Sequence, residues 1–573
     1  MEFDRIYADE LERLRKLGRE FSDENPSVAP FLSSTSGDPD IERLLQGFAF
    51  LSAMVRQRMD DEVPEFIHDI ATLTGPELTK PLPAITVLKL DPLGKILGGL
   101  RVPAQTPFAS IPVEETVCEF TTAWSLSVQP VKLIQTRYEP TPQGTRLSLD
   151  FSMTGITLGQ WNGGKLSLFL SGGIVEGASW LRAMRHKLID CRVSSPEFQN
   201  ESAPITLSFP GLDPSFSLFP EDRNVASHIR WVREFLGFPE RALFVELEGF
   251  SAWDKSPIAK TFTVEFDFEL GYQELPKPSP AQFTPNAVPA SNIFECYSEP
   301  VVINHLKESY KIVPAGFGPR QAEVHQVLSV NGRRQGDSSD RAYVPFTDFL
   351  SESKIGRYQI TFSESIRFNS LDHFIRLPLN ELPQLDQPET LSIRLRCTNG
   401  RLPEKLRLGD VNKRTVDSPE RLGVTNVLVP TSSTRPSLGS DSMWKVVSHA
   451  RLNLEAFTHV ASLKEFLGLY SPEGGDPTRL SAVKRRIQGI DELQVLPVSE
   501  MSQGTLIRGH QFKIKMNRDF FAGSGDLILM GEMLVHFFAG IVPLNSYVSL
   551  IVVDSVSGEQ VEWPKLLAPG LSL

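Results

Sequence analysis

The sequence predicts a multidomain α+β protein, with a helical N-terminal segment, β-rich central wing domains and a mixed α/β C-terminal domain. Three observations predict it. Apolar residues recur at helical spacing in the first eighty residues, two-residue alternation dominates after them, and both patterns mix beyond residue 440. Composition agrees. Pro numbers 43 among 573 residues, about 7.5% against a usual ~5%, which disfavours an all-helical chain. Phe (36) far outnumbers Tyr (9) and Trp (7), so most rings are expected in cores or interfaces. At roughly 150 residues per domain the length allows about four domains. The expected divisions are 1–80, 81–290, 291–440 and 441–573, the third ending in a long loop.

The first helix carries Tyr7, Leu11, Leu14, Gly18 and Phe21 at heptad steps, with Ile6 and Leu17 widening the stripe. Asp9/Arg13 and Glu12/Lys16 are spaced as i,i+4 pairs with the acid N-terminal. Pro26 and Pro30 end it. A second helix starts at Asp38, a good N-cap, and Pro39, a good first helical residue. Its stripe is Ile41, Leu45, Phe48, Ser52, Val55 and Met59, broadened by Leu44 and Leu51. Pro64 breaks it. Phe66, Ile67, Ile70 and Leu73 form a third short segment before Gly75-Pro76. These stripes are wide for a short region, so Leu11, Leu14, Phe21, Ile41, Leu45, Phe48, Val55 and Met59 are the candidate interface residues. The competing reading is a helical subdomain packed on its own chain.

Strands are expected at Ile85–Leu90, Val131–Tyr138, Arg146–Phe151, Lys165–Leu170, Ala203–Phe209, Leu243–Gly249 and Thr261–Leu270. The last puts Phe262, Val264, Phe266 and Phe268 on one face, as in a half-buried antiparallel sheet. The Pro-rich run 274–289 reads as a domain junction. A second strand-rich block follows to about Leu408, then a polar surface loop over 409–442. Met443–Tyr470 and Pro477–Gln488 read as helices, Leu493–Val498 and His510–Met516 as strands, Gly525–Val542 as a buried helix, and Ser546–Asp554 with Gln560–Trp563 as a hairpin.

Several function classes are disfavoured. Net charge is −12 and the basic clusters, Arg333-Arg334 and Lys484-Arg485-Arg486, are small, so nucleic acid is not an expected partner. Cys118, Cys191, Cys296 and Cys397 contain no CxxC pair and fit a reducing compartment. The charged N-terminus has no signal-peptide core. The apolar run from Leu527 to Val553 contains Glu532, His536, Pro543 and Asn545. A carboxylate at mid-span costs roughly 3 kcal/mol, so a buried helix and strand are expected in a soluble, cytosolic protein. Gly159 to Lys165 has the spacing of a phosphate-binding loop, but Leu166 replaces the magnesium-binding hydroxyl and a strand follows where a helix is needed; a hairpin turn is expected. No hydrolase elbow or zinc-protease motif occurs, and the nearest histidines, His449 and His459, are far apart for ligands. No cofactor, metal or small-molecule substrate is expected.

Segments along the whole chain resemble one family. They are YADELERLRKLGREFSDENPSVAPFL from Tyr7, DPDIERLLQGFAFLSAMVRQRMDDEVPEF from Asp38, NIFECYSEPVVINHLKESYKIVP from Asn292, RCTNGRLPEKLRLGD from Arg396, RPSLGSDSMWKVVSHARLNL from Arg435 and FFAGSGDLILMGEMLVHFFAGIVPLNSYVSL from Phe520. Their order and number resemble the TssF (VasA/ImpG) family of type VI secretion baseplate subunits. One departure is Asn399-Gly400-Arg401-Leu402-Pro403, where relatives often carry Asn-Arg-Asp-Leu-Pro. The resemblance implies a non-enzymatic scaffold: two TssF chains and one TssG form a wedge core, which carries TssK and TssE around the VgrG hub beneath a contractile sheath. It also implies a place at the cytoplasmic face of the inner membrane, with the membrane reached only indirectly. The rival reading is a β-sandwich carbohydrate-binding protein or an enzyme with a nonlocal site.

Overall fold

The computed structural model describes residues 7–8, 10–17, 43–54, 70–195, 198–220, 226–269, 271, 275–304, 306–334, 339–348, 356–364, 371–377, 388–436, 444–447, 454–502 and 505–568. The chain divides into two compact units: Met1–Thr74 with Leu438–Val447, and Gly75–Ser437 with Ser448–Leu573.

The described part of the first unit is helical at 10–17, 43–54, 70–74 and 444–447. Thr74 closes its helical turn by donating its hydroxyl to the Ile70 carbonyl at 2.8 Å. Arg13 pairs with Glu10 at 3.9 Å.

The second unit holds one large apolar core and one small one. A six-stranded sheet runs in the order Val411–Arg414, Pro107–Val113, Thr116–Thr122, Ala287–Ser291, Ile85–Pro92, Leu422–Asn426. A five-stranded antiparallel sheet places Thr261–Phe268 between Leu188–Ser195 and Gly144–Met153. Phe262, Val264, Phe266 and Phe268 are fully buried there, the face that alternation marks. A four-stranded sheet joins Leu166–Leu170 to Phe244–Glu248.

Helices α1 (Gly173–His186) and α2 (Ser227–Gly237) lie in a stretch read only as strands. Strand alternation just before α1 masks its helical set Ala178, Trp180, Leu181 and Met184, all buried. C-terminally, α3 (Val460–Leu469) and α4 (Pro477–Gln488) precede a long hairpin, Ile490–Ser502 with Thr505–Met516. Asp476 caps α4 by accepting from the Thr478 N–H at 2.8 Å. The strand Thr505–Met516 lies parallel to Ser546–Asp554, and α5 (Ser524–Ile541) is the crossover such a parallel pair requires. By length and composition α5 can cross a membrane, but 78% of it is buried in this core.

The small core belongs to a barrel made from residues 294–398. Its sheet runs Phe294–Tyr297, Glu389–Thr398, Glu323–Arg334, Arg341–Pro345, Gly356–Glu364, Leu371–Arg376, Tyr310–Ile312. It closes on itself where Glu299 N–H donates to the Val313 carbonyl and Ala315 N–H to that of Tyr297, at 2.7 and 2.8 Å. Closure removes the open edges that a sheet otherwise exposes. The barrel is an insertion between Ala287–Ser291 and Val411–Arg414, both in the six-stranded sheet.

Three local expectations change. The run 409–436, expected as a loop, supplies two strands of the six-stranded sheet, with Val411, Leu422 and Val424 buried; 437–443 lies outside the described residues. Short strands with polar neighbours leave no alternation long enough to read. The Pro-rich run 274–289 contains Phe283–Pro285 and the start of the fully buried Ala287–Ser291. Pro289 fits because its carbonyl accepts from Ala123 N–H at 2.8 Å, one residue past the end of Thr116–Thr122, so little ladder is lost. The segment after Gly159 is no hairpin turn: Gly144–Met153 and Leu166–Leu170 belong to different sheets.

Candidate assembly surfaces

The helix at 43–54 is the most unusual surface of the first unit. Ala49 and Ala53 are buried and Leu45 is half-buried, on one face at i, i+4, i+8. Leu44, Phe48 and Leu51, on another face at i, i+4, i+7, are 63%, 65% and 59% exposed. Phe50 and Met54 are exposed as well. Small residues therefore face inward while large apolar ones meet water. Burying each such side chain contributes roughly 1.5–3 kcal/mol, and contiguous exposed apolar surface marks an interaction site. Of the candidate interface residues, Phe48 is exposed, Leu11, Leu14 and Leu45 are half-buried, and Phe21, Ile41, Val55 and Met59 lie outside the described residues. Phe50 and Met54 escaped the sequence reading. Their signal is that the helix is apolar on nearly every side, which no single own-chain contact can satisfy.

The second feature is the neck of the barrel. The chain enters it at Asn292 and leaves at Asn399, both buried. The two side chains bond each other. Asn292 Nδ2 donates to Asn399 Oδ1 at 2.8 Å, and Asn399 N–H donates to Asn292 Oδ1 at 2.7 Å. Asn292 Nδ2 also donates to the Glu119 carbonyl at 2.7 Å, and Asn399 Nδ2 to that of Gln321 at 2.9 Å. Glu119 lies in the six-stranded sheet, and Gln321 just precedes a barrel strand, so the pair ties barrel to sheet. Full use of these donors and acceptors offsets the burial of two amides. Asn292 opens one of the segments that carry the family resemblance, and Asn399 lies in another, the one that starts at Arg396. Nothing local in the sequence shows that they meet.

Helix α5 shows how this chain buries charge. Asp526 accepts from Arg486 Nε at 2.9 Å on both oxygens and from Ala522 N–H at 3.0 Å. Glu532 accepts from Arg185 Nε at 3.1 Å, and His186 Nε2 lies 3.7 Å away. Burial pushes the Glu532 carboxyl up, but the His186 and Arg185 contacts outweigh it and hold it below the usual value. Phe537 stacks on Phe466 at 4.8 Å and meets Phe457 edge-on at 5.2 Å, while Phe538 stacks on Phe512 at 4.0 Å. Trp231 of α2 donates its indole N–H to the Met533 carbonyl at 3.1 Å.

A cleft lined by Lys80, Arg230, Arg233, His325 and Arg396 collects positive charge, with Glu77 pairing Arg233 at 2.9 Å and Lys80 at 3.8 Å. Burial, and then the charges of Lys80, Arg233 and Arg396, hold His325 neutral. Lys165, last residue of the phosphate-loop-like run, pairs with Glu248 at 2.7 Å and Glu246 at 3.8 Å. Gly163 has φ +70°, and a Cβ there would sit 2.5 Å from the Phe250 carbonyl oxygen. That run is packing, not a cradle. Among the described residues no group of three or more His, Cys, Asp or Glu is placed to hold a metal ion.

The family described as "Type VI secretion system, TssF" matches residues 1–568. The type VI secretion system component TssF1 of Pseudomonas aeruginosa is 25% identical over 610 aligned residues, covering 97% of each chain. A chain in the cryo-electron microscopy structure of the type VI secretion system TssK-TssF-TssG baseplate subcomplex shares the fold at TM-score 0.80 and 24% identity, over 93% of this chain and 99% of that one. A chain of the type VI secretion baseplate complex matches at TM-score 0.62 and 22% identity, over the whole of both. A family match over residues 1–568, with a relative aligned over 97% of both chains, makes this chain a member of the TssF family of type VI secretion system components.

Proposed function

We propose that this chain is a structural subunit of the baseplate wedge, built to hold other proteins and not to turn over a substrate. The observation that carries the reading is the 43–54 helix, which leaves Leu44, Phe48 and Leu51 in water on a chain otherwise able to bury even charged side chains. The solved relative in a TssK-TssF-TssG subcomplex supports TssG and TssK as the partners. The N-terminal helices supply the face for TssG and for a second copy of this chain. TssE and the VgrG hub are reached through the completed wedge. The assembly stands at the cytoplasmic face of the inner membrane and touches the membrane only through other components.

Co-expression with TssG tests this. The wild-type chain co-purifies with TssG in a complex whose native mass gives the copy number. Phe48→Asp and Leu51→Asp lose the complex while the isolated chain stays folded. Retention of TssG at unchanged yield and salt tolerance in both variants overturns the assignment of this face.

A further inference from the structure

Cys296 and Cys397 stand just inside the barrel neck, on its first and last strands. Phe294–Tyr297 and Glu389–Thr398 run antiparallel, with Phe294 opposite Cys397 and Cys296 opposite Leu395. The cysteines are thus diagonal neighbours on one face of the sheet, and their sulfurs are 3.4 Å apart. A disulfide needs about 2.05 Å between sulfurs, so closing the gap takes side-chain rotation together with a small approach of the two strands. The two differ in access: Cys296 is half-buried and Cys397 fully buried. They differ in acidity as well. The hydrogen-bonding contact between the two sulfurs lowers the Cys296 pKa, while the same contact and burial push Cys397 up. The remaining cysteines offer a contrast within the chain. Burial pushes the Cys118 thiol up to about 11, and also raises Cys191.

We propose that Cys296 and Cys397 are an oxidisable dithiol, a modification site whose disulfide fastens the first strand of the barrel to the last. The oxidant class is a hydroperoxide. The Cys296 thiolate attacks the nearer peroxide oxygen, the O–O bond breaks, and Cys296 becomes a sulfenic acid; with hydrogen peroxide the departing hydroxide takes up the proton the thiol gave up on ionising and leaves as water. The Cys397 sulfur then attacks the Cys296 sulfur. The S–O bond breaks, the S–S bond forms, and the hydroxyl departs with the Cys397 proton as a second water. The thiols together give up two electrons and the peroxide takes them. A reducing cytoplasm returns the pair to thiols, so the bond marks oxidative exposure and is not permanent. It sits beside the Asn292–Asn399 contact and covalently closes the segment between strands that this contact holds by hydrogen bonds.

The test uses the reduced full-length chain. It is treated with hydrogen peroxide, the remaining thiols are alkylated, and the digest is mapped by mass spectrometry. The expected product is the Cys296 peptide joined to the Cys397 peptide, lighter by two hydrogens, with Cys118 and Cys191 alkylated. Amide exchange in the two joined strands slows on oxidation and recovers with dithiothreitol. In Cys397→Ser the cross-link is lost and a dimedone-reactive sulfenic acid accumulates on Cys296. Oxidation of Cys296 to sulfinic acid in the wild-type chain while Cys397 remains an alkylatable thiol overturns the proposal. So does oxidation of Cys118 and Cys191 at the same rate as the pair.

Discussion

The helix at 43–54 and α5 are both apolar on nearly every side, yet the chain encloses only α5. Around α5 stand α1, α2 and two strands of the C-terminal sheet. Where α5 carries an acid, an arginine from elsewhere in the chain meets it: Arg486 for Asp526, Arg185 for Glu532. Its glycines admit close neighbours. A Cβ at Gly525 would lie 2.5 Å from the Ala178 carbonyl group, and one at Gly531 would lie 2.5 Å from the Trp563 ring. The 43–54 helix turns alanines inward and keeps its large side chains out. Among the described residues, a Cβ at Gly47 would meet nothing within 4 Å. Hydrophobicity alone does not separate a core helix from an interface helix. The sizes of the inward residues, and the presence of charge partners, do.

The contrast breaks first at α5. Phe537→Ala removes a ring enclosed by Phe457, Phe466 and Phe538, and should destabilise by about 3–5 kcal/mol, read from denaturant midpoints. Asp526→Ala strands the buried Arg486 guanidinium and should cost about 3 kcal/mol; adding Arg486→Met should recover most of it.

Acid should act next. His228 of α2 packs against α5 at Gly540, and burial lowers its pKa to about 4. Above about pH 6.5 it is neutral folded and unfolded, so it contributes no pH dependence there. Below that, the unfolded chain takes the proton first, and stability falls until the folded pKa near 4 is reached. The loss is about 2 kcal/mol after discounting for partial exposure. His228→Gln should flatten the slope of stability between these pH values. His373 of the barrel, also lowered to about 4 by burial, should leave a residual slope.

The smallest stability effect should come from the other helix. Phe48→Asp should change the isolated chain by within about 0.5 kcal/mol, because the ring is already in water. An equal loss of stability in Phe48→Asp and Phe537→Ala would erase the distinction between the two helices.

The strand Thr261–Phe268 was legible because four apolar residues alternate without interruption. Helix α5 was legible because apolar residues dominate from Leu527 to Phe538 and Pro543 stops the run. Yet the burial of Asp526 and Glu532 within the helix leaves no local sign, since their partners lie about 40 and 350 residues away in sequence. Helix α2 was missed although Trp231, Val232, Phe235 and Leu236 follow helical spacing; its buried Arg230, Arg233 and Glu234 blur the polar face. The Asn292–Asn399 contact was invisible as physics, because a side chain that bonds 107 residues away leaves no local pattern. Only the family resemblance pointed at those segments. For the interface helix the stripe was legible, but its inward side was not. Alanine carries little weight in an apolar count, and here Ala49 and Ala53 are the buried face.

The barrel leaves the six-stranded sheet and rejoins it through two residues within hydrogen-bonding distance of each other. In engineering terms it is a cassette with adjacent ends. A short turn between Ser291 and Gly400 would span the cut, and the strands Ala287–Ser291 and Val411–Arg414 would keep their neighbours in the sheet. A change of length inside the barrel therefore shifts no register in the large core, and the chain has a place where it can gain or shed a whole domain without redesigning the rest.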